Sequence, residues 1–185
     1  MRTFSMAAFV GAALALATTA AQAQSRTFNL TLLGANEPNS SGQLGQGDPD
    51  GVATGFVTLD PATDMVTWDF NYQNITGDAI IGFHIHGPDA TPTTNVGVYI
   101  GFPLSSTSVP SGRETGMLMT DSVPDLGSRI DAVLANPSSF YINLHSSGAT
   151  GYPGGAVRAT LPEPGALGLL AVAGLGLLRR RGREG

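Results

Sequence analysis

The sequence predicts an all-β domain: a Greek-key β-sandwich or barrel with one short helix. Three observations predict it. Apolar residues alternate with polar ones in short runs broken by frequent turn signals. Glycine and proline, 25 and 12 of them in 185 residues, punctuate the chain. Only one internal segment carries apolar residues at helical spacing.

The elements follow in order. In residues 27–33, Phe28, Leu30 and Leu32 alternate against Asn29 and Thr31, as in a half-buried strand. Residues 36–50 are rich in Gly, Ser, Asn and Pro and read as a loop. Residues 51–59 and 65–72 are two strands of a hairpin around 60–64, where Pro61 presets a turn. In the second of these, Trp68, Phe70 and Tyr72 share a face; a sugar-stacking row is conceivable there, but core is the favoured reading. Residues 80–86 form a strand, 88–95 a loop, 96–101 a strand and 114–119 another. Residues 123–136 carry Leu126, Ile130 and Leu134 at helical spacing, with Pro124 suited to the start and Pro137 to the stop. Residues 140–145 and 156–161 close the domain as strands, and no internal repeat is found.

Both termini read as address labels. Residues 1–23 comprise a single early charge, Arg2, an Ala-rich apolar stretch and the small-x-small site Ala21-Gln22-Ala23; this is a secretory signal peptide, with cleavage expected after Ala23. Residues 162–185 comprise Pro162-Glu163-Pro164, an apolar run at 165–178 and a cluster of Arg179, Arg180, Arg181 and Arg183. The run falls short of the roughly 20 residues an ordinary membrane-crossing helix needs, and the arginines would remain on the cytoplasmic side. This three-part pattern resembles the PEP-CTERM sorting signal of Gram-negative bacteria. The resemblance implies transient anchoring in the inner membrane, processing by signal peptidase and exosortase, and release to the cell surface or an exopolysaccharide matrix. A plain tail anchor is the alternative, and either way the domain lies outside the cytoplasm.

The 138 residues from 24 to 161 suffice for one domain with a real core. They hold four basic and twelve acidic side chains, a balance of −8, and no lysine. Such a surface argues against nucleic acid, whose phosphates call for Lys and Arg. Without cysteine, core and ladders alone must hold the fold.

The chain's three histidines, His84, His86 and His145, all fall in expected strands. Alternation puts His84 and His86 on one face, with Phe83 and Ile85 directed to the core. It likewise groups His145 with Tyr141 and Asn143, opposite Phe140, Ile142 and Leu144. Two such strands could gather three imidazoles around one ion, and imidazole suits copper and zinc. Ordinary surface histidines fit the same pattern, so both readings stay open. Asp48 and Asp50 suggest a calcium loop, but the full ligand pattern is missing, and a solvated acidic loop is expected. Glu37 is placed to brace the loop after the first strand. No nucleophile triad and no phosphate loop is evident.

Two resemblances sharpen this. The stretch Leu32 to Glu37, with Gly34 and Asn36, is followed by His84-Ile85-His86-Gly87-Pro88, by Tyr141-Ile142-Asn143-Leu144-His145-Ser146 and by Gly154-Gly155-Ala156-Val157-Arg158. Together these resemble a CHRD domain, with Ala156 standing where the family usually has an acidic residue. Gly82-Phe83-His84-Ile85-His86, Asn143-Leu144-His145 and the segment ending in Arg158 are also similar to the copper-site strands of Cu/Zn superoxide dismutases. That resemblance implies a superoxide dismutase-like fold, His84, His86 and His145 as copper ligands, and Arg158 as an anion guide. The bridging histidine, the zinc loop and the disulfide of that family are missing here. The expectation is therefore an exported, non-enzymatic CHRD protein binding copper, in preference to zinc, through three histidines. A copper-dependent dismutase and a metal-free structural or adhesive module remain the alternatives.

Overall fold

The computed structural model describes residues 24–151 and 153–163. The described residues build eight strands: β1 (Arg26–Leu33), β2 (Val52–Asp60), β3 (Met65–Gln73), β4 (Ile80–His86), β5 (Val98–Gly101), β6 (Gly112–Leu118), β7 (Tyr141–Ser146) and β8 (Gly155–Thr160). Among the described residues one α-helix, α1 (Leu126–Ala135), precedes β7. All paired neighbours are antiparallel, in the order β5-β4-β7-β8-β1-β2-β3-β6. The expected all-β fold with one short helix is what forms, as a single curled sheet rather than two separate ones.

The curl follows from weak pairing at the middle. β8 and β1 share one register pair, Leu33 with Arg158, whereas β1 with β2 and β2 with β3 are matched along their whole lengths. The two halves of the sheet therefore fold toward each other, and their inner faces pack as in a sandwich. Trp68 of β3 stacks on Phe102 at 4.5 Å between ring centroids, and Phe102 and Phe70 both meet Phe83 of β4 edge-on. Such aromatic pairs add directional contacts to a large apolar burial. Trp68, Phe70 and Tyr72 are all core residues, 1–2 % exposed.

The segment 102–110 joins the two ends of the curl. It bonds to β4 through Phe102 N–H to the Phe83 carbonyl and Ile80 N–H to the Thr107 carbonyl. On the other side it meets the buried carboxylate of Glu114 in β6, which accepts from Ser105 N at 2.8 Å, Ser105 Oγ at 3.1 Å and Ser106 N at 3.0 Å. Ser105 Oγ also takes the Thr115 N–H at 3.0 Å, and the Arg113 carbonyl, 3.3 Å away, competes with Glu114 for its single proton; both backbone groups lie on the free edge of β6.

Two sequence expectations shift locally. The helix starts at Leu126, after a 3-10 turn at Thr120–Ser122 and a left-handed Asp125 (φ 59°). Its buried face is Leu126, Ile130 and Val133, and Leu134 is half-buried. In β4 a register shift between Ile80 and Gly82 inverts the alternation. Ile80 is thereby buried and Ile81 exposed, while Phe83 and Ile85 keep their core positions. Among the described residues no helix is long and apolar enough to cross a membrane.

Replacing Glu114 with alanine leaves the Ser105 and Ser106 amides unpartnered and should destabilise the domain by about 2–4 kcal/mol. Urea denaturation measures this, with Glu114→Gln retaining one acceptor and losing less. An unchanged midpoint would show that the 102–110 segment is held by something else.

Candidate metal centre

β4 and β7 are neighbours, with Gly82 opposite His145, His84 opposite Asn143 and His86 opposite Tyr141. Side chains of like parity share a face, so this register sets His84, His86 and His145 on the outer side of the sheet. The structure brings the three rings together. Their centroids form a near-equilateral triangle with sides of 5.4, 5.1 and 5.5 Å. One ligand nitrogen from each lies within 4.8 Å of the others.

Gly82 makes room for this. A Cβ there would stand 3.0 Å from His84 Nε2 and closer still to Cε1. The missing side chain lets the His84 imidazole fold back along its own strand toward His145.

The donor chemistry fits an ion. His86 Nδ1 lies 2.9 Å from the Val96 carbonyl, so it carries the proton and Nε2 keeps its lone pair. His86 Nε2 and His145 Nε2 are 3.3 Å apart. Two nitrogens about 2.0–2.1 Å from a tetrahedral ion stand about 3.3–3.4 Å from each other, so this pair is already at the coordinating separation. His84 Nδ1 is buried without a partner.

Electrostatics keep the imidazoles neutral. Burial, followed by His86, lowers the His84 pKa from 6.5 to about 4. Burial, followed by His84 and His86, lowers His145 to about 3. Burial lowers His86 against the opposing hydrogen bond to Val96, with Arg158 adding a smaller push down. A neutral imidazole offers its lone pair without first shedding a proton.

The outer face around this site is not solvated. All six residues of β7 are buried, Tyr141, Asn143 and His145 included. The segment between β1 and β2 closes over them and over β8. Asn36 Nδ2 donates to the Arg158 carbonyl at 3.0 Å, and Asp48 N–H donates to Ala156 O at 2.9 Å. Glu37, fully buried, accepts from Asn143 Nδ2. Desolvation raises the Glu37 pKa to about 7, against Arg158 and the Asn143 bond, which lower it. Gly47 allows the close approach, since a Cβ there would lie 2.8 Å from Glu37 Cγ. Asp48, expected in a solvated acidic loop, is 4 % exposed and accepts the Thr76 N–H at 2.9 Å; it braces the loop.

Arg158 is 1 % exposed. Its guanidinium carbon sits 3.3 Å from the centroid of the Tyr141 ring, and Nη2 donates to Thr91 O at 2.8 Å. An anion guide requires a charge open to solvent, and here the charge is covered. Pro162 and Glu163 are described: Arg26 donates to the Pro162 carbonyl at 2.6 Å, and Glu163 Oε1 accepts the Ser138 N–H at 3.1 Å. Residues 1–23, Pro164, Arg179, Arg180 and Arg181 lie outside the described residues.

The whole outer constellation, from Glu37 to Arg158, lies inside the stretch 28–161 that the model of one protein family, the CHRD domain, matches. The chain belongs to the CHRD domain family. Neither the curated proteins nor the solved structures contain a match. The CHRD fold seen here thus carries, on its outer face, the motifs quoted from the sequence: Asn36 and Glu37, the His84/His86 strand, the β7 strand and Arg158. Tyr141 and Val96 were not legible as partners of His86, because neither has a ligand side chain.

The pH dependence of stability separates the two kinds of buried group. Above pH 6.5 the histidines are neutral folded and unfolded, and contribute nothing. From pH 6.5 down to about 4 the unfolded chain takes protons the folded one refuses, so stability falls with pH. Glu37 has the opposite sign: its contribution is full below pH 4.5 and is lost as pH rises through 7. Glu37→Gln should therefore steepen the rise in stability between pH 4.5 and 6.5 by about 1 kcal/mol per pH unit. Parallel curves for the variant and the parent, followed by urea midpoints, would contradict a raised Glu37.

Proposed function

We propose that this CHRD protein is an exported, non-enzymatic surface or matrix component that holds one copper ion on His84, His86 and His145. The observation that carries the reading is the meeting of three neutral imidazoles from β4 and β7, two of them at coordinating separation. An all-imidazole site suits both copper and zinc, and divalent affinity order favours copper. A bound ion supplies Lewis acidity and one-electron chemistry. The chain's own residues supply lone pairs, a fixed His86 tautomer and shelter from water.

Export is the second half of the proposal. The signal peptide at 1–23 and the three-part tail at 162–185 support passage through signal peptidase and exosortase, transient inner-membrane anchoring, and delivery to the surface or exopolysaccharide matrix of a Gram-negative bacterium. The −8 balance of the domain supports a solvated extracellular module without nucleic-acid partners. The covered charge of Arg158 favours binding over dismutation.

Loading the full chain with copper(II), removing the excess and measuring metal per chain tests the site. About one copper should be retained, and the His84→Ala, His86→Ala double variant should retain none. A parent chain that holds no copper refutes the metal reading and leaves a structural module. Superoxide consumption by the loaded protein above that of the double variant would instead support an enzyme.

Gly82→Ala offers a subtler check. It should displace the His84 ring, weaken copper at least about tenfold, and leave the far-UV spectrum of the domain unchanged. Undiminished affinity would mean that His84 is not a ligand.

A further inference from the structure

We propose that Arg158 is a positioning residue for the ion site, setting the ring plane and the tautomer of His86 through Tyr141 and the 91–96 loop. This rests on the metal reading above. As a ligand, His86 needs a fixed ring plane and a lone pair on Nε2. Both supports lead back to Arg158.

The ring plane is set by Tyr141, whose ring lies parallel to His86, 4.8 Å away and 3° from coplanar. Tyr141 belongs to β7, with His86 on the neighbouring strand to one side and Arg158 on the neighbouring strand to the other. The guanidinium covers the Tyr141 ring at 3.3 Å. The phenol is thereby gripped by the residues of both flanking strands.

The tautomer is set by the Val96 carbonyl, which takes the His86 Nδ1 proton. Val96 in turn is tied down from Arg158. Arg158 Nη2 donates to Thr91 O, and Nη1 stands 3.5 Å from Oδ1 of Asn95, the residue preceding Val96. The Val96 N–H donates to the Tyr141 hydroxyl at 3.4 Å. One planar side chain thus stacks on the ring and clamps the loop, which a lysine ammonium cannot do at once.

Charge and position act in opposite directions at this residue. The Arg158 charge disfavours a cation at His86, so a purely electrostatic Arg158 would make copper bind more tightly once neutralised. A positioning Arg158 makes it bind more weakly.

The full chain and its Arg158→Met, Arg158→Lys and Tyr141→Phe variants should be loaded with copper(II) sulfate. Affinity is read by chelator competition, and ligand geometry by the electron paramagnetic resonance hyperfine pattern. Arg158→Met should weaken copper about 10–100-fold and alter the hyperfine pattern, and Arg158→Lys should fail to restore either. Equal or tighter binding with an unchanged spectrum in both variants overturns the inference while the three-histidine site stands. A parent chain without copper removes the site itself, and the inference with it. Should Arg158→Met not fold, Tyr141→Phe decides. Loss of its hydroxyl should change the spectrum through Val96, and an unchanged spectrum overturns the inference that Tyr141 and the 91–96 loop position His86.

Discussion

The structure depends on β7 being buried on both faces. A central strand with an apolar inner face can be covered outside by apolar or by polar groups. Here the outer cover is polar, and each buried polar side chain then needs partners. Asn143 finds Glu37, His145 packs against the rings of His84 and His86, and Tyr141 finds His86, Arg158 and Val96. The loops at 34–50 and 87–97 fold down because they carry these partners, or the carbonyls that fix them. The domain thus has two cores, an apolar one between the halves of the curled sheet and a polar one beneath two loops. The histidine cluster stands at the margin of the second.

This arrangement explains the mixture of properties at the site. Imidazoles left in water would spend part of their time protonated and would rotate. Burial beside the polar core suppresses the proton, and stacking on Tyr141 suppresses the rotation of His86. His84, half-buried and with Nδ1 unpartnered, is the least constrained of the three. An ion would therefore meet a preformed pair, His86 and His145, and recruit His84 to complete the set.

Much of this was legible in the sequence, for reasons that can be named. Alternation is a two-residue rule, so the shared face of His84 and His86 and the core positions of Phe83, Ile85, Ile142 and Leu144 could be read off directly. The eight strands were marked by turns. The local failures have physical causes. A bulge near Ile81 broke the parity that alternation assumes. At 3.6 residues per turn, Val133 returns to within about 20° of Leu126 while Leu134 lies about 80° away, so Val133 rather than Leu134 completes the buried face. Glu37 was legible as a brace for the loop after β1, but its partner was not, because Asn143 and Arg158 are polar, and polar residues on a strand face read as solvent-facing. Gly47 was the available hint, a position that tolerates no side chain because another segment passes against it.

Ser105 has a consequence beyond its own loop. An eight-stranded sheet that curls without closing leaves two edges, and β6 is a long one, with Met117 and Met119 exposed beside it. Open strands of this kind recruit copies of themselves into fibrils. The Ser105 hydroxyl already takes the Thr115 amide and lies against the Arg113 carbonyl, so an incoming strand would have to displace it to pair there. In a chain without cysteine, guarding that edge falls to side-chain contacts of this kind.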